Sequence, residues 1–148
     1  METLEIFDFL DKARVIEKDM QGMEYLAQGL RSCLRPAGRR YDKDKVDETR
    51  EKDKIGDTMA RIDELEKAIA EKGKEKARAI MAIDQAIHGA FGQDKGEASQ
   101  AQANILYAYY VAGKTVAEIA AEQGYSERHC LRIKKQAVEK LKAYQENL

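Results

Sequence analysis

The first thirty residues carry an apolar repeat that admits one kind of structure. Ile6, Phe9, Ala13, Ile16, Met20, Met23, Ala27 and Leu30 follow one another at alternating spacings of three and four. That is the a/d seam of a heptad pattern, sustained over more than three heptads. A helix over roughly residues 2–32 is about 45 Å long at 1.5 Å per residue. No single small core covers that length, so the seam requires another long helix. Composition agrees. Leu, Ile, Val and Phe together number 29 of 148 residues, near the lower limit for a globular domain, while Ala alone numbers 21. Ala, Glu, Lys, Arg and Gln favour helix, and runs of β-branched residues and Asn-Gly dipeptides are missing. The expectation is an elongated all-α chain with a thin core, part of whose helical surface is buried against a partner chain.

Arg35-Pro36-Ala37-Gly38 ends the first helix, because proline cannot continue it and glycine suits a turn. The polar stretch Arg31 to Lys45 reads as a basic loop. A second helix is expected to begin between Val46 and Asp57. Ile55, Ile62, Ile69, Ile83 and Ala90 fall on one seven-residue repeat, with Met59, Leu65, Ile80 and Ile87 beside it. The repeat is interrupted at Glu71 to Lys76, and the helix is expected to continue through Gly73. The two helices then form an antiparallel, coiled-coil-like hairpin over residues 1–90, read as an oligomerisation domain. Three glycines between His88 and Gly96 mark a linker, 91–99, ahead of a C-terminal domain over 100–148.

Several function classes are disfavoured. No run approaches 18 consecutive apolar residues, so no membrane span is expected. The first residues alternate acids with apolar side chains and lack the basic start of a signal peptide. Cys33 and Cys130 are too few and too far apart for a disulfide framework or a zinc cluster. The expected compartment is the cytoplasm. His88 and His129 have no ligands at metal spacing, and no phosphate loop or nucleophile with a nearby base is visible. The chain is therefore read as a non-enzyme without metal or cofactor.

After the linker the periodicity shortens. Ala101 to Ala112 reads as one helix with Ile105, Leu106, Tyr109 and Tyr110 on its apolar side, closed by Gly113. Thr115 and Glu118 form a capping box for the next helix, Gly124 stops that helix, and Ser126 caps another. A helix-turn-helix needs an apolar residue and then a small one where its helices cross, and Ile119-Ala120 supply them. Four residues on, the turn needs a positive φ, supplied by Gly124. Tyr125 tucks under the turn, and Cys130 and Ile133 face the core three residues apart. Ala137 and Leu141 extend that stripe.

Asn104 to Leu141 resembles the promoter-reading C-terminal domain of bacterial sigma factors. The shared features are Tyr109-Tyr110, Gly113-Lys114-Thr115, Ile119-Ala120, Gly124-Tyr125-Ser126 and Ala137 to Leu141. The whole chain is similar in architecture to small phage and prophage proteins with a sigma-like helix-turn-helix behind an N-terminal coiled coil, including late-gene regulators of the ArpU and RinA type. The chain has no aromatic-rich segment of the kind with which a complete sigma factor melts promoters, so a full sigma factor is not implied.

With Cys130, Ile133 and Ala137 inward, the second helix presents Ser126, Glu127, Arg128, Arg132 and Lys135, with His129 at the edge. Arg128 and Arg132, at i and i+4, can each reach guanine O6/N7 with a bidentate fork, and Glu127 can accept from cytosine N4. Ser126, Lys114 and Thr115 suit phosphate oxygens, and Lys134 and Lys135 could add further phosphate contacts. Leu131 could meet a thymine methyl or the helix starting near Ala101. The expected function is a sequence-specific regulator of transcription on double-stranded DNA, a homo-oligomer, preferentially a dimer, through its N-terminal helices. The competing expectation is a helical adaptor binding RNA polymerase or a phage component. The net charge of −1 conceals a segregation. Residues 1–30 hold 3 bases and 7 acids (−4), whereas 31–45 hold 6 and 2 (+4). Residues 124–148 hold 6 and 3 (+3), which places a basic patch on the motif.

Overall fold

The computed structural model describes residues 3–34 and 45–148, with side chains over 5–34 and 54–148. The described residues are all-α. Helix α1 (Thr3–Leu34) and helix α2 (Lys45–Phe91) are long, and α3 (Glu97–Leu106) runs into a π-helical turn, Tyr107–Val111. Helices α4 (Val116–Gln123) and α5 (Glu127–Glu146) complete the chain. Helix α1 includes Arg31 to Leu34, the start of the stretch expected as a basic loop; residues 35–44 of that stretch lie outside the described residues. Helix α2 passes Gly73 without a break, as expected. None of the helices described is long and apolar enough to cross a membrane.

Packing divides the chain into two compact units, one formed by Glu17–Lys74 and the other by Met1–Ile16 with Glu75–Leu148. In the first, α1 and α2 run antiparallel: Arg31 pairs with Glu66 at 2.6 Å, and Asp19 with Lys72 at 3.9 Å. Met20 faces Gly73, whose added Cβ would lie 3.9 Å from the Met20 Cε. Among the described residues of this unit only Ala27, Ile62 and Leu65 are buried, while Tyr25, Leu26, Ile55 and Met59 are exposed. One pair of helix faces thus buries little apolar area and supplies correspondingly little hydrophobic stabilisation.

The second unit has the substantial core. Ile6, Leu10, Ala13 and Ile16 of α1 are buried, as are Ile83, Ile87 and Phe91 of α2. Helices α3 and α4 both pack on α5. Helix α5 contributes Cys130, Ile133, Ala137, Val138 and Leu141, a stripe at spacings of three and four that makes it amphipathic. Helix α3 begins at Glu97, four residues before the expected Ala101. The residues between α2 and α3 are fastened by Lys140. Its ammonium donates to Ser99 Oγ at 3.2 Å, approaches Asp94 at 3.5 Å and lies 4.7 Å from the centre of the Phe91 ring. Asp94 also accepts from the Gly96 N–H at 3.0 Å, and that bond, with help from Lys140, holds its carboxyl below the usual range.

Leu141 is completely buried in this unit. Leu141→Ala should destabilise it by about 2–5 kcal/mol, the usual cost of a large-to-small core change, read as a lower urea midpoint.

Candidate nucleic-acid interface

The turn between α4 and α5 sets the site. Thr115 caps α4, its hydroxyl accepting from the Glu118 N–H at 3.2 Å, which forms the hydroxyl half of the expected capping box. Helix α4 ends at Gly124 with φ 72° and ψ 25°. A side chain in that left-handed region costs about 1–2 kcal/mol, which is why glycine stands there. The Tyr125 N–H reaches back to the Ala120 carbonyl at 2.9 Å, and Ser126 then caps α5 by accepting from the His129 N–H at 3.1 Å. Ile105, Ile119, Ala120, Cys130 and Ile133 form one buried cluster, with Val116 and Tyr125 packed against it. Burial pushes the Cys130 thiol up, consistent with a small apolar filler and not a nucleophile.

The preceding turn was not anticipated. Ala112 N–H bonds the Tyr107 carbonyl at 2.9 Å, an i to i−5 pairing, and Lys114 N–H bonds the Ala108 carbonyl at 3.0 Å around Gly113, which has φ 74°. This π turn brings Tyr109 and Tyr110 together edge to face, with ring centres 4.8 Å apart. Tyr110 is buried, and desolvation raises its phenol pKa. The Tyr109 ring carries two cations. Lys134 Nζ is 3.9 Å and the Arg14 guanidinium carbon 4.1 Å from its centre. Lys134, read from sequence as a phosphate contact, is therefore turned toward the tyrosines. Arg14 escaped the sequence reading altogether, since nothing local links it to a residue 95 positions away.

The remaining candidates sit as follows. Glu127, Arg128, His129, Arg132 and Lys135 are exposed on α5, and Arg128, Arg132 and Lys135 stand opposite the buried stripe. The His129 ring stands edge-on to Tyr125, with centres 4.8 Å apart. Arg128 and Arg132, one helical turn apart, form no ion pair with another described residue, and their forks are open to solvent. Thr115 and Ser126 use their hydroxyl oxygens as caps but keep their O–H donors for a further acceptor. Lys114 is tied to both carboxylate oxygens of Glu122 at 2.8 Å. Leu131 is half-exposed and, with Phe7 and Ile6 of α1, lines an apolar groove of about 500 Å³. The structure thus brings Arg128, Arg132 and Lys135 onto one face, leaves Glu127 and His129 exposed at the start of α5, and puts Lys114 in a salt bridge.

Residues 99–143 match the family described as Sigma-70, region 4. This segment is a sigma-factor region-four-like, DNA-binding helix-turn-helix. It occupies under a third of the chain, and the family is one of DNA-binding, not catalytic, domains. Neither the curated proteins nor the solved structures contain a match to the chain. The region-four-like segment spans most of α3, the π turn, α4 and most of α5, so the turn geometry at Gly124 and the open face of α5 both belong to it.

Between α2 and the π turn, the Tyr107 hydroxyl donates to Asp84 at 2.7 Å. Desolvation, followed by this bond, pushes its pKa from 10.0 up to about 12. The folded phenol keeps its proton where the unfolded one is losing it. Its contribution to stability is therefore fully present below pH 10 and is lost as the pH rises through about 12. In Tyr107→Phe that contribution is gone at every pH. The gap between wild-type and Tyr107→Phe urea midpoints should narrow between pH 10 and about 12, the window set by the two pKa values.

Proposed function

We propose that the chain is a sequence-specific regulator of transcription that reads the major groove of double-stranded DNA with the first two turns of α5. The observation that carries this is the geometry of α5. Its N-terminal turns present Glu127, Arg128, Arg132 and Lys135 to solvent, while Cys130 and Ile133 are buried against α3 and α4. Residues near the start of the second helix are those that enter the groove in this motif. Arg128 and Arg132 are the base readers, Glu127 selects for cytosine, and His129 and Lys135 flank them. The O–H groups of Thr115 and Ser126 fix register on phosphates, and Lys114 joins them by exchanging Glu122 for a phosphate.

Two copies act together through the N-terminal helices. The sparse core of Glu17–Lys74, with Tyr25, Leu26, Ile55 and Met59 exposed, supports burial of that unit against another chain. A dimer then reads two half-sites spaced by about one DNA turn. The similarity of architecture to phage and prophage late-gene regulators supports the same role here, with the cytoplasm as its compartment. The competing role, an adaptor that docks on RNA polymerase or a phage component, draws on the apolar groove at Leu131 and Phe7. Enrichment of genomic fragments against random DNA at several salt concentrations separates the two roles, because an adaptor enriches none.

On an enriched fragment, Arg132→Ala should lose roughly 1–3 kcal/mol of binding free energy and relax preference at one base pair, as expected for loss of a bidentate base contact. Unchanged affinity and unchanged preference, measured by mobility shift, would remove Arg132 from the reading face.

A further inference from the structure

Arg14 stands outside the region-four-like segment, yet it touches both ends of the loop that leads into α4. Its Nη1 donates to the Tyr109 carbonyl at 2.8 Å and approaches the Lys114 carbonyl at 3.4 Å. The first carbonyl lies in the π turn, and the second immediately precedes the Thr115 cap. Carbonyls at helix ends and in π turns lack the regular helical donor, and a cation is the strongest substitute available. Its guanidinium also lies 4.1 Å from the centre of the Tyr109 ring, which Lys134 of α5 approaches at 3.9 Å. One side chain of α1 therefore joins the exit of α3, the start of α4 and, through Tyr109, the helix that carries Arg132.

We infer that Arg14 is a positioning residue of the DNA-reading unit, so that this unit includes residues 3–16 of α1 and not only the segment that matches the family. Arg14 sets where α4 starts, and with it the Thr115 cap and the angle at which α5 is presented. The affinity part of this inference rests on the DNA-reading role proposed above; the part that concerns the start of α4 does not.

The full chain is compared with Arg14→Met, which keeps the apolar stem, and Arg14→Lys, which keeps a cation. Arg14→Gln replaces the methionine variant if that variant is not folded at the assay temperature. In the DNA-free protein, amide exchange at Glu118 and Ile119, in the first turn of α4, should quicken in Arg14→Met and stay near wild type in Arg14→Lys. The Ile133 amide in α5 should be unchanged in both. On a fragment enriched with the wild-type protein, Arg14→Met should bind about tenfold more weakly, the worth of one charged hydrogen bond, and Arg14→Lys should recover most of that loss. Wild-type exchange and affinity in Arg14→Met would overturn the inference. Equal losses in both variants would also overturn it, as would exchange that quickens everywhere in step with global stability. If the wild-type chain enriches no DNA, the regulator role falls, and the exchange comparison still decides whether Arg14 sets the start of α4.

Discussion

Helix α5 must bury one face and leave the other bare, and the rest of its unit follows from that division. Its inward stripe, Cys130, Ile133, Ala137, Val138 and Leu141, is the surface on which α3 and α4 settle. The stripe is continuous over three turns, so the helices on it have few alternative seats without burying a charge. Gly124 then fixes the direction of α5 relative to α4, because its left-handed backbone brings the Tyr125 N–H back to the Ala120 carbonyl. Whatever stands on the far side of α5 is displayed by default. Those residues are Arg128, Arg132 and Lys135.

The parts of this structure legible in the sequence are those governed by neighbours within a few positions. The Thr115 and Ser126 caps, the positive φ of Gly124 and the inward pair Cys130 and Ile133 are determined by local backbone geometry, so spacing alone revealed them. The uninterrupted passage of α2 through Gly73 is of the same kind, since one glycine costs a helix only about 1 kcal/mol. What escaped was set by partners far along the chain. Leu10 is completely buried although it lies beside the heptad seam, because α1 up to Ile16 packs within the unit that holds α5. Heptad spacing reports one contact face and is blind to a second. The inward turn of Lys134 likewise depends on Tyr109, which the π turn rotates into its path.

The two units differ in how far each satisfies itself. In the unit that holds α5, buried polar groups find partners within the unit, and Lys140 uses its ammonium on Ser99, Asp94 and the Phe91 ring. In Glu17–Lys74, two cross-helix ion pairs are exposed and therefore contribute little, in the range of about 0–1 kcal/mol each. The three apolar residues buried among those described, Ala27, Ile62 and Leu65, add a modest hydrophobic contribution. A long helix with strong intrinsic propensity can persist on so little, but its apolar exterior, from Tyr25 and Leu26 to Ile55 and Met59, gains by being covered. A second copy supplies the same kind of surface at the same concentration as the chain itself, which is the simplest source of such cover.

Charge shows the same separation between structural and displayed groups. The last 25 residues hold six cations against three acids, which by composition alone suggests a uniformly basic surface. Three of the six are already engaged within the protein: Lys134 over the tyrosines, Lys140 on the loop after α2, and Lys142 with Glu146 at 4.0 Å. The three that remain, Arg128, Arg132 and Lys135, are the exposed ones on the proposed reading face. Two of them are arginines, whose planar forks match a guanine edge, and one is a lysine, better suited to a phosphate as a point charge. A face with few free cations gathers little nonspecific electrostatic affinity, because each phosphate neutralised contributes to binding regardless of sequence. In the proposed regulator, selectivity on such a surface comes from base edges and from the pairing of two half-sites. That places the demand on the accuracy with which α5 is held, and so on the Gly124 turn and the contacts that brace it.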